Sequence, residues 1–244
     1  MAAFTGNPAW NGHRVPDEQW QVYRAVIRAA RTRGLRFALG GAFGCAAYTG
    51  RWRNTKDLDL YVLPEDRTAM IEVLGQAGLA DYYERQPYDR RWIYRGHRED
   101  TIVDVIWAMA NQRARVDLKW FSAARPMRLR EERVKVIPPE EMLWQKLYIL
   151  QRERCDWPDV LNILYAVGPQ LDWKHLLERL EADGPLLRGV LAVFAWLCPG
   201  RAAALPPWLW ERLRTAPPAG RQAPDVDLER IALLDSRPWF QTSV

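Results

Sequence analysis

The sequence predicts an α/β first half, a mixed sheet with helices in an α+β layout, followed by an all-α second half. Three observations carry this reading. Up to residue 137, short apolar runs of strand length alternate with helical patterns. Pro138–Pro139 then interrupts the chain. Beyond it, the apolar patterns have helical spacing. The expected domains are therefore 1–137 and 138–244.

Residues 1 to 15 carry Gly, Asn and Pro without period and read as an irregular arm. From Pro16 to Arg33, Trp20, Tyr23, Ile27 and Ala30 recur at helical spacing, and Gly34 supplies a stop. Phe37–Leu39 is a buried strand ending in the Gly40–Gly41 turn, and Ala42 to Tyr48 suits a short packed helix. A basic loop spans Arg51 to Lys56, and Asp57 to Leu63 reads as a strand. Pro64 opens an amphipathic helix that Gly78 ends. Arg91–Tyr94 and Thr101–Trp107 read as strands with Gly96–Asp100 as their turn. Residues 110 to 130 favour a short helix and loop, and Val134–Ile137 a last strand. The second half offers helices at Glu140–Arg154, Pro158–Val167, Trp173–Glu181, Pro185–Leu197 and Pro206–Leu213. An extended Pro- and Ala-rich stretch, Thr215–Asp225, follows.

Composition narrows the class. Of 244 residues, 48% are hydrophobic and 27% charged, ordinary values for a globular protein with a real core. The net charge of +5 suits an anionic ligand such as phosphate. Cys45, Cys155 and Cys198 lack paired spacing, and the histidines lack metal-binding spacing, so neither a disulfide framework nor a zinc site is expected. The apolar run Leu186–Cys198 is too short for a bilayer. No signal-peptide pattern opens the chain, and a cytoplasmic protein without membrane association is expected.

The chemistry lies in an ordered constellation. In a strand, side chains alternate faces, so Asp57 and Asp59 point the same way while Leu58 and Leu60 point the other. Two carboxylates on one face repel unless a cation joins them or one is protonated. Mg²⁺ (or Mn²⁺) takes such oxygen ligands and keeps positions open for phosphate. Asp104 stands in the apolar run Ile102–Ile106, where an unpaired charge is costly. It is either a third member of that cluster or a hairpin partner of Arg91 or Arg95. Three converging carboxylates suit phosphoryl-group chemistry: two metals clamp the α-phosphate and leaving pyrophosphate, and a carboxylate accepts the proton of an attacking hydroxyl. Gly40 and Gly41 would let backbone approach a triphosphate ahead of a helix N-terminus. Lys56, Arg51 or Arg53 would offset phosphate charge. Most of the 13 tryptophans, Trp144, Trp157, Trp173 and Trp196 among them, fall in apolar helical patterns and read as core; Trp52 alone is placed to stack on a base.

Leu39–Gly40–Gly41, Asp57–Leu58–Asp59 and Asp104 resemble the signature of the DNA polymerase β-like nucleotidyltransferase superfamily. The stretch from Tyr48 to Leu60 is most similar to its bacterial abortive-infection toxin and antibiotic nucleotidyltransferase branches. The resemblance covers roughly residues 35 to 107. It implies a nucleotidyltransferase-type mixed sheet, triphosphate contact at Gly40 and Gly41, and metal ligation at Asp57, Asp59 and Asp104. Gly41 departs from the Ser of many members. Further on, Glu141–Lys146 and Arg154–Val160 resemble the toxin-like branch, which implies Lys146 on the triphosphate, with Asp159 or Asp156 orienting Lys146 or the acceptor. Asp156 also stands where a helix N-cap would, and Lys146 lies at the edge of a stripe formed by Leu143, Leu147 and Leu150.

The expected activity is transfer of a nucleoside monophosphate from a nucleoside triphosphate to an acceptor hydroxyl on RNA, protein or a small molecule, with release of pyrophosphate. Transfer RNA and a small molecule are the acceptors considered, in a toxin–antitoxin-like or resistance setting. Two alternatives stand beside it. A dinucleotide-binding module shares the strand, Gly-rich turn and helix, but Leu39 breaks Gly-x-Gly-x-x-Gly. A catalytically degenerate protein of the same fold would bind nucleotide or serve as an antitoxin-like partner without turnover.

Overall fold

In the computed structural model, the described residues are 14–52, 55–150, 154–214, 225, 226 and 228. Most of the arm, Arg53 and nearly all of the Pro- and Ala-rich stretch lie outside them. The chain divides into two compact units, meeting between Pro138 and Pro139.

In the first unit, α1 (Asp17–Thr32) buries Trp20, Tyr23, Ile27 and Ala30, its helically spaced stripe. Pro16 precedes it and Gly34, at φ +68°, turns the chain out of it. Next come β1 (Phe37–Leu39), α2 (Gly41–Thr49), β2 (Asp57–Val62), α3 (Arg67–Gln76), β3 (Ala80–Asp81), β4 (Ile93–Arg98), β5 (Thr101–Ile106), α4 (Leu118–Ser122), β6 (Arg125–Leu129) and β7 (Glu132–Val136). The strands form one mixed sheet in the order β3-β4-β5-β2-β1-β7-β6. β2 lies parallel to β5 and antiparallel to β1, and β4–β5 is an antiparallel hairpin. Leu58, Leu60, Val103 and Val105 are wholly buried on one face of the central strands. The opposite face is left for the acids.

Three details correct the sequence reading. The β4–β5 turn is not Gly96–Asp100: β4 runs on to Arg98, and the turn is Glu99–Asp100, with Glu99 at φ +53°. Gly96 lies inside the strand because Leu74 presses on it; a Cβ there would stand 2.8 Å from the Leu74 side chain. Residues 110 to 130 hold α4 and also a strand, β6, which pairs with β7 as a sheet edge. Third, β3 is an element the sequence reading lacks; it is only two residues long, too short to show a period.

The second unit is helical: α5 (Pro139–Leu147), α6 (Trp157–Val167), α7 (Trp173–Leu180), α8 (Gly184–Leu197), α9 (Pro199–Ala203) and α10 (Pro207–Arg212). α5 stops at Leu147 rather than Arg154. The chain folds back there: the Asp156 N–H donates to the Ile149 carbonyl at 2.9 Å, and Leu150 bridges to Cys155. Leu150 is consequently 55% exposed and leaves the expected stripe, which Leu143 and Leu147 keep. Trp173 and Trp144 are buried as read, whereas Trp196 is 40% exposed. Among the described residues, no helix is long and apolar enough to cross a membrane.

Candidate active site

The register of the central strands assembles the site. Asp59 on β2 lies opposite Asp104 on β5, and Asp104 lies opposite Arg95 on β4. Asp57, two residues before Asp59, shares its face. The three carboxylates bring ligand oxygens within 4.8 Å of one another. Asp104 is 1% exposed, while Asp57 and Asp59 are half-buried. The set is all oxygen, one-signed and reachable at its rim, the donor chemistry of a hard divalent cation.

The surrounding groups hold the acids in place. Arg95 grips Asp104 with two bonds, Nε donating to Oδ1 at 2.8 Å and Nη2 to Oδ2 at 2.6 Å. The Thr55 hydroxyl donates to Asp57 Oδ1 at 2.5 Å. Burial pushes the Asp104 carboxyl above the usual carboxylate range; the Arg95 fork opposes this and the Asp57 charge adds to it. Its bond to Asp104 keeps Arg95 protonated. Thus Asp104 is both of the things the sequence left open: a member of the acidic cluster and the hairpin partner of Arg95. Arg91 instead pairs with Asp89.

The turn before α2 is built around Asp59. Gly41 sits at φ +52°, and a Cβ on it would fall 1.7 Å from Asp59 Oδ2. The Gly40 N–H donates to the Asp59 carbonyl at 3.1 Å, and a Cβ on Gly40 would meet the Tyr61 ring at 2.2 Å. Both positions exclude a side chain, for different reasons. Tyr23 was not singled out by sequence reasoning. Its hydroxyl accepts from Gln19 Nε2 and donates to the Lys56 carbonyl at 3.3 Å, fixing the residue ahead of Asp57. Burial raises its pKa well above the ordinary tyrosine range, and Asp57, Asp59 and Asp104 add to the rise despite the Gln19 bond. Its only sequence signal was a polar atom on an otherwise apolar stripe.

The remaining candidates divide. Lys56 is exposed next to Asp57, and Arg51 is half-buried just after the Gly50 cap of α2. Trp52 stands edge-on to Phe43 at 5.2 Å, with its indole nitrogen buried, so its ring is packed against the fold. In the second unit, Lys146 is 4% exposed and donates to Asp156 at 2.6 Å and Asp159 at 2.8 Å. Arg154 also binds Asp156. Asp156 makes no side-chain cap bond to α6; it faces Lys146 instead. Sequence reasoning missed a neighbouring group on α5: wholly buried Glu141 accepts from Arg179 and meets His175 Nε2 at 2.7 Å.

Comparison with known proteins gives the class to which this fold and acidic cluster belong. Residues 23–196 match the family described as uncharacterised nucleotidyltransferase. The match spans most of the chain, and the protein belongs to that family. Among solved structures, the antibiotic-resistance factor ANT(2'')-Ia is similar over 72% of this chain and 96% of its own, at 18% identity and a TM-score of 0.50. An antigenic nucleotidyltransferase-like protein from Paracoccidioides brasiliensis is 17% identical over 80% of this chain and 97% of its own (TM-score 0.48). The lincosamide antibiotic adenylyltransferase LnuA is 16% identical over 59% and 94% (TM-score 0.43). These likenesses are of fold. Among curated proteins none matches.

Proposed function

We propose that this nucleotidyltransferase moves a nucleoside monophosphate from a nucleoside triphosphate to an acceptor hydroxyl, in a reaction that requires a divalent cation and releases pyrophosphate. The observation that carries the proposal is the convergence of Asp57, Asp59 and Asp104 within 4.8 Å beside a glycine turn that admits no side chain. Unrelieved, such a cluster costs stability. Asp57 and Asp59, with Asp104 beside them, would hold Mg²⁺ (or Mn²⁺), which when bound supplies Lewis-acid charge to the phosphates.

This chain's own residues do the rest. Gly40 and Gly41 bring the N-terminus of α2 beside Asp59, where the backbone N–H groups of its first turn would meet a triphosphate, and Arg51 and Lys56 supply positive charge there. The acceptor oxygen bonds to the α-phosphorus as the bond to the bridging oxygen of pyrophosphate breaks. Asp104 takes the acceptor's proton; each of its oxygens keeps a lone pair beyond the one Arg95 uses. In the helical unit, Lys146 is held by Asp156 and Asp159, and triphosphate contact is the role that the sequence resemblance implies for it.

The direct test is incubation with each α-labelled nucleoside triphosphate, Mg²⁺ and cell extract, with Asp57→Asn alongside. Label in an acceptor, abolished by chelator and by the substitution, is expected. Nucleotide binding with no label in any acceptor would favour the degenerate, partner-type reading instead.

A further inference from the structure

The triad does not stand alone on its face of the sheet. Across three adjacent strands the register sets Asp59, Asp104 and Arg95 in one row. The guanidinium of Arg95 spans both oxygens of Asp104, on the side away from Asp59. Arg95 is itself braced. Its backbone N–H donates to the Tyr88 hydroxyl at 3.0 Å, and that hydroxyl donates to Asp81 at 2.8 Å. Its guanidinium lies 5.8 Å from the centre of the Tyr82 ring. The fork is held by Asp104 and the Tyr82 ring, and the backbone behind it by Tyr88, so Arg95 is a fixed part of the site rather than a freely rotating surface arginine.

The charge count follows from this. Three carboxylates carry three negative charges, and with Arg95 the cluster carries two, which one divalent ion balances. A second divalent ion bound at Asp104 would have to share two oxygens already bonded to a guanidinium and would sit close to its positive charge. We infer that Arg95 is a positioning residue that takes the place of a second divalent cation: the site binds one ion, on Asp57 and Asp59, and Arg95 holds Asp104 beside it. In the nucleotide-free protein the two-metal clamp expected from three carboxylates thus becomes one metal and one arginine. This inference rests on the proposed metal-dependent reading.

The test counts ions rather than turnover. Mn²⁺ is titrated into the full chain, free ion being followed by electron paramagnetic resonance and heat by calorimetry. Wild type is expected to bind one Mn²⁺. Arg95→Gln is expected to bind a second, or to bind Mn²⁺ about tenfold or more tightly, because the cluster regains its third negative charge. Arg95→Lys keeps the charge without the fork and should stay at one ion. In Arg95→Gln with Asp104→Asn the gain should vanish, because the extra ion needs the Asp104 carboxylate. A purely structural role for Arg95 predicts weaker Mn²⁺ binding in Arg95→Gln along with a lower Tm. Two ions in wild type, or weaker or unchanged Mn²⁺ binding in Arg95→Gln, would overturn the inference and leave metal-dependent transfer standing. No Mn²⁺ bound by either protein would overturn both.

Discussion

Gly41→Ser is expected to damage this chain. Position 41 has φ +52°, where an L-residue with a Cβ costs about 1–2 kcal/mol. That alone lowers Tm by roughly 2–8 °C at about 2–4 °C per kcal/mol for a chain of this size. The larger effect is local. The new Cβ would stand 1.7 Å from Asp59 Oδ2, so the carboxylate must move by about 1.7 Å or more to reach ordinary contact at 3.4 Å. A shift of that size in a catalytic group costs on the order of 100-fold in rate. Gly34→Ala separates the two effects. Gly34 has φ +68°, and a Cβ added there would have nothing within 4 Å, so this variant meets only the backbone cost. Thermal melts and Mn²⁺ titration of both variants, with transfer rates once an acceptor is in hand, are the assay. Gly34→Ala should lose stability and keep metal binding; Gly41→Ser should lose both. Wild-type metal binding in Gly41→Ser would refute the packing argument.

Three further outcomes are expected. Asp59→Asn removes a like charge from a crowded face, so the metal-free protein should melt at or above the wild-type temperature while stabilisation by Mn²⁺ and nucleotide disappears; preserved ligand stabilisation would count against metal binding there. Lys146→Ala leaves Asp156 and Asp159 facing each other without their shared ammonium, and should destabilise the chain by about 3–5 kcal/mol, seen as a fall in the denaturant midpoint. An unchanged midpoint would mean that Lys146 is held there by nothing of consequence. For pH, burial raises the Asp156 pKa, but Lys146 and Arg154 together bring it below the ordinary value. Its folded pKa is depressed, so its stabilisation is full above an unfolded pKa of about 3.9 and is lost as pH falls through the folded value. Tm measured from pH 5 downwards should therefore fall more steeply in wild type than in Asp156→Asn, and parallel curves would contradict the ion-pair account.

The sequence by itself determined the parts of the site that depend on local periodicity. Strand alternation put Asp57 and Asp59 on one face, whatever lay beside them. The isolation of Asp104 within an apolar run marked it as paired or clustered. The helical stripe of α1 and the change of pattern at Pro138–Pro139 were equally local signals. What only the tertiary structure decided was register and partnership. Asp59, Asp104 and Arg95 share a row because β5 lies parallel to β2 and antiparallel to β4, and a shift of one residue would have turned Asp104 to the other face. Sequence spacing carries no information about that pairing. Gly41 read as a permissive turn residue, and only the position of the Asp59 carboxylate shows that a side chain is excluded. The periodicity of Leu143, Leu147 and Leu150 continued past the true end of α5, because the chain folds back to bring Asp156 against Lys146. A local pattern cannot register a partner that folding brings from elsewhere.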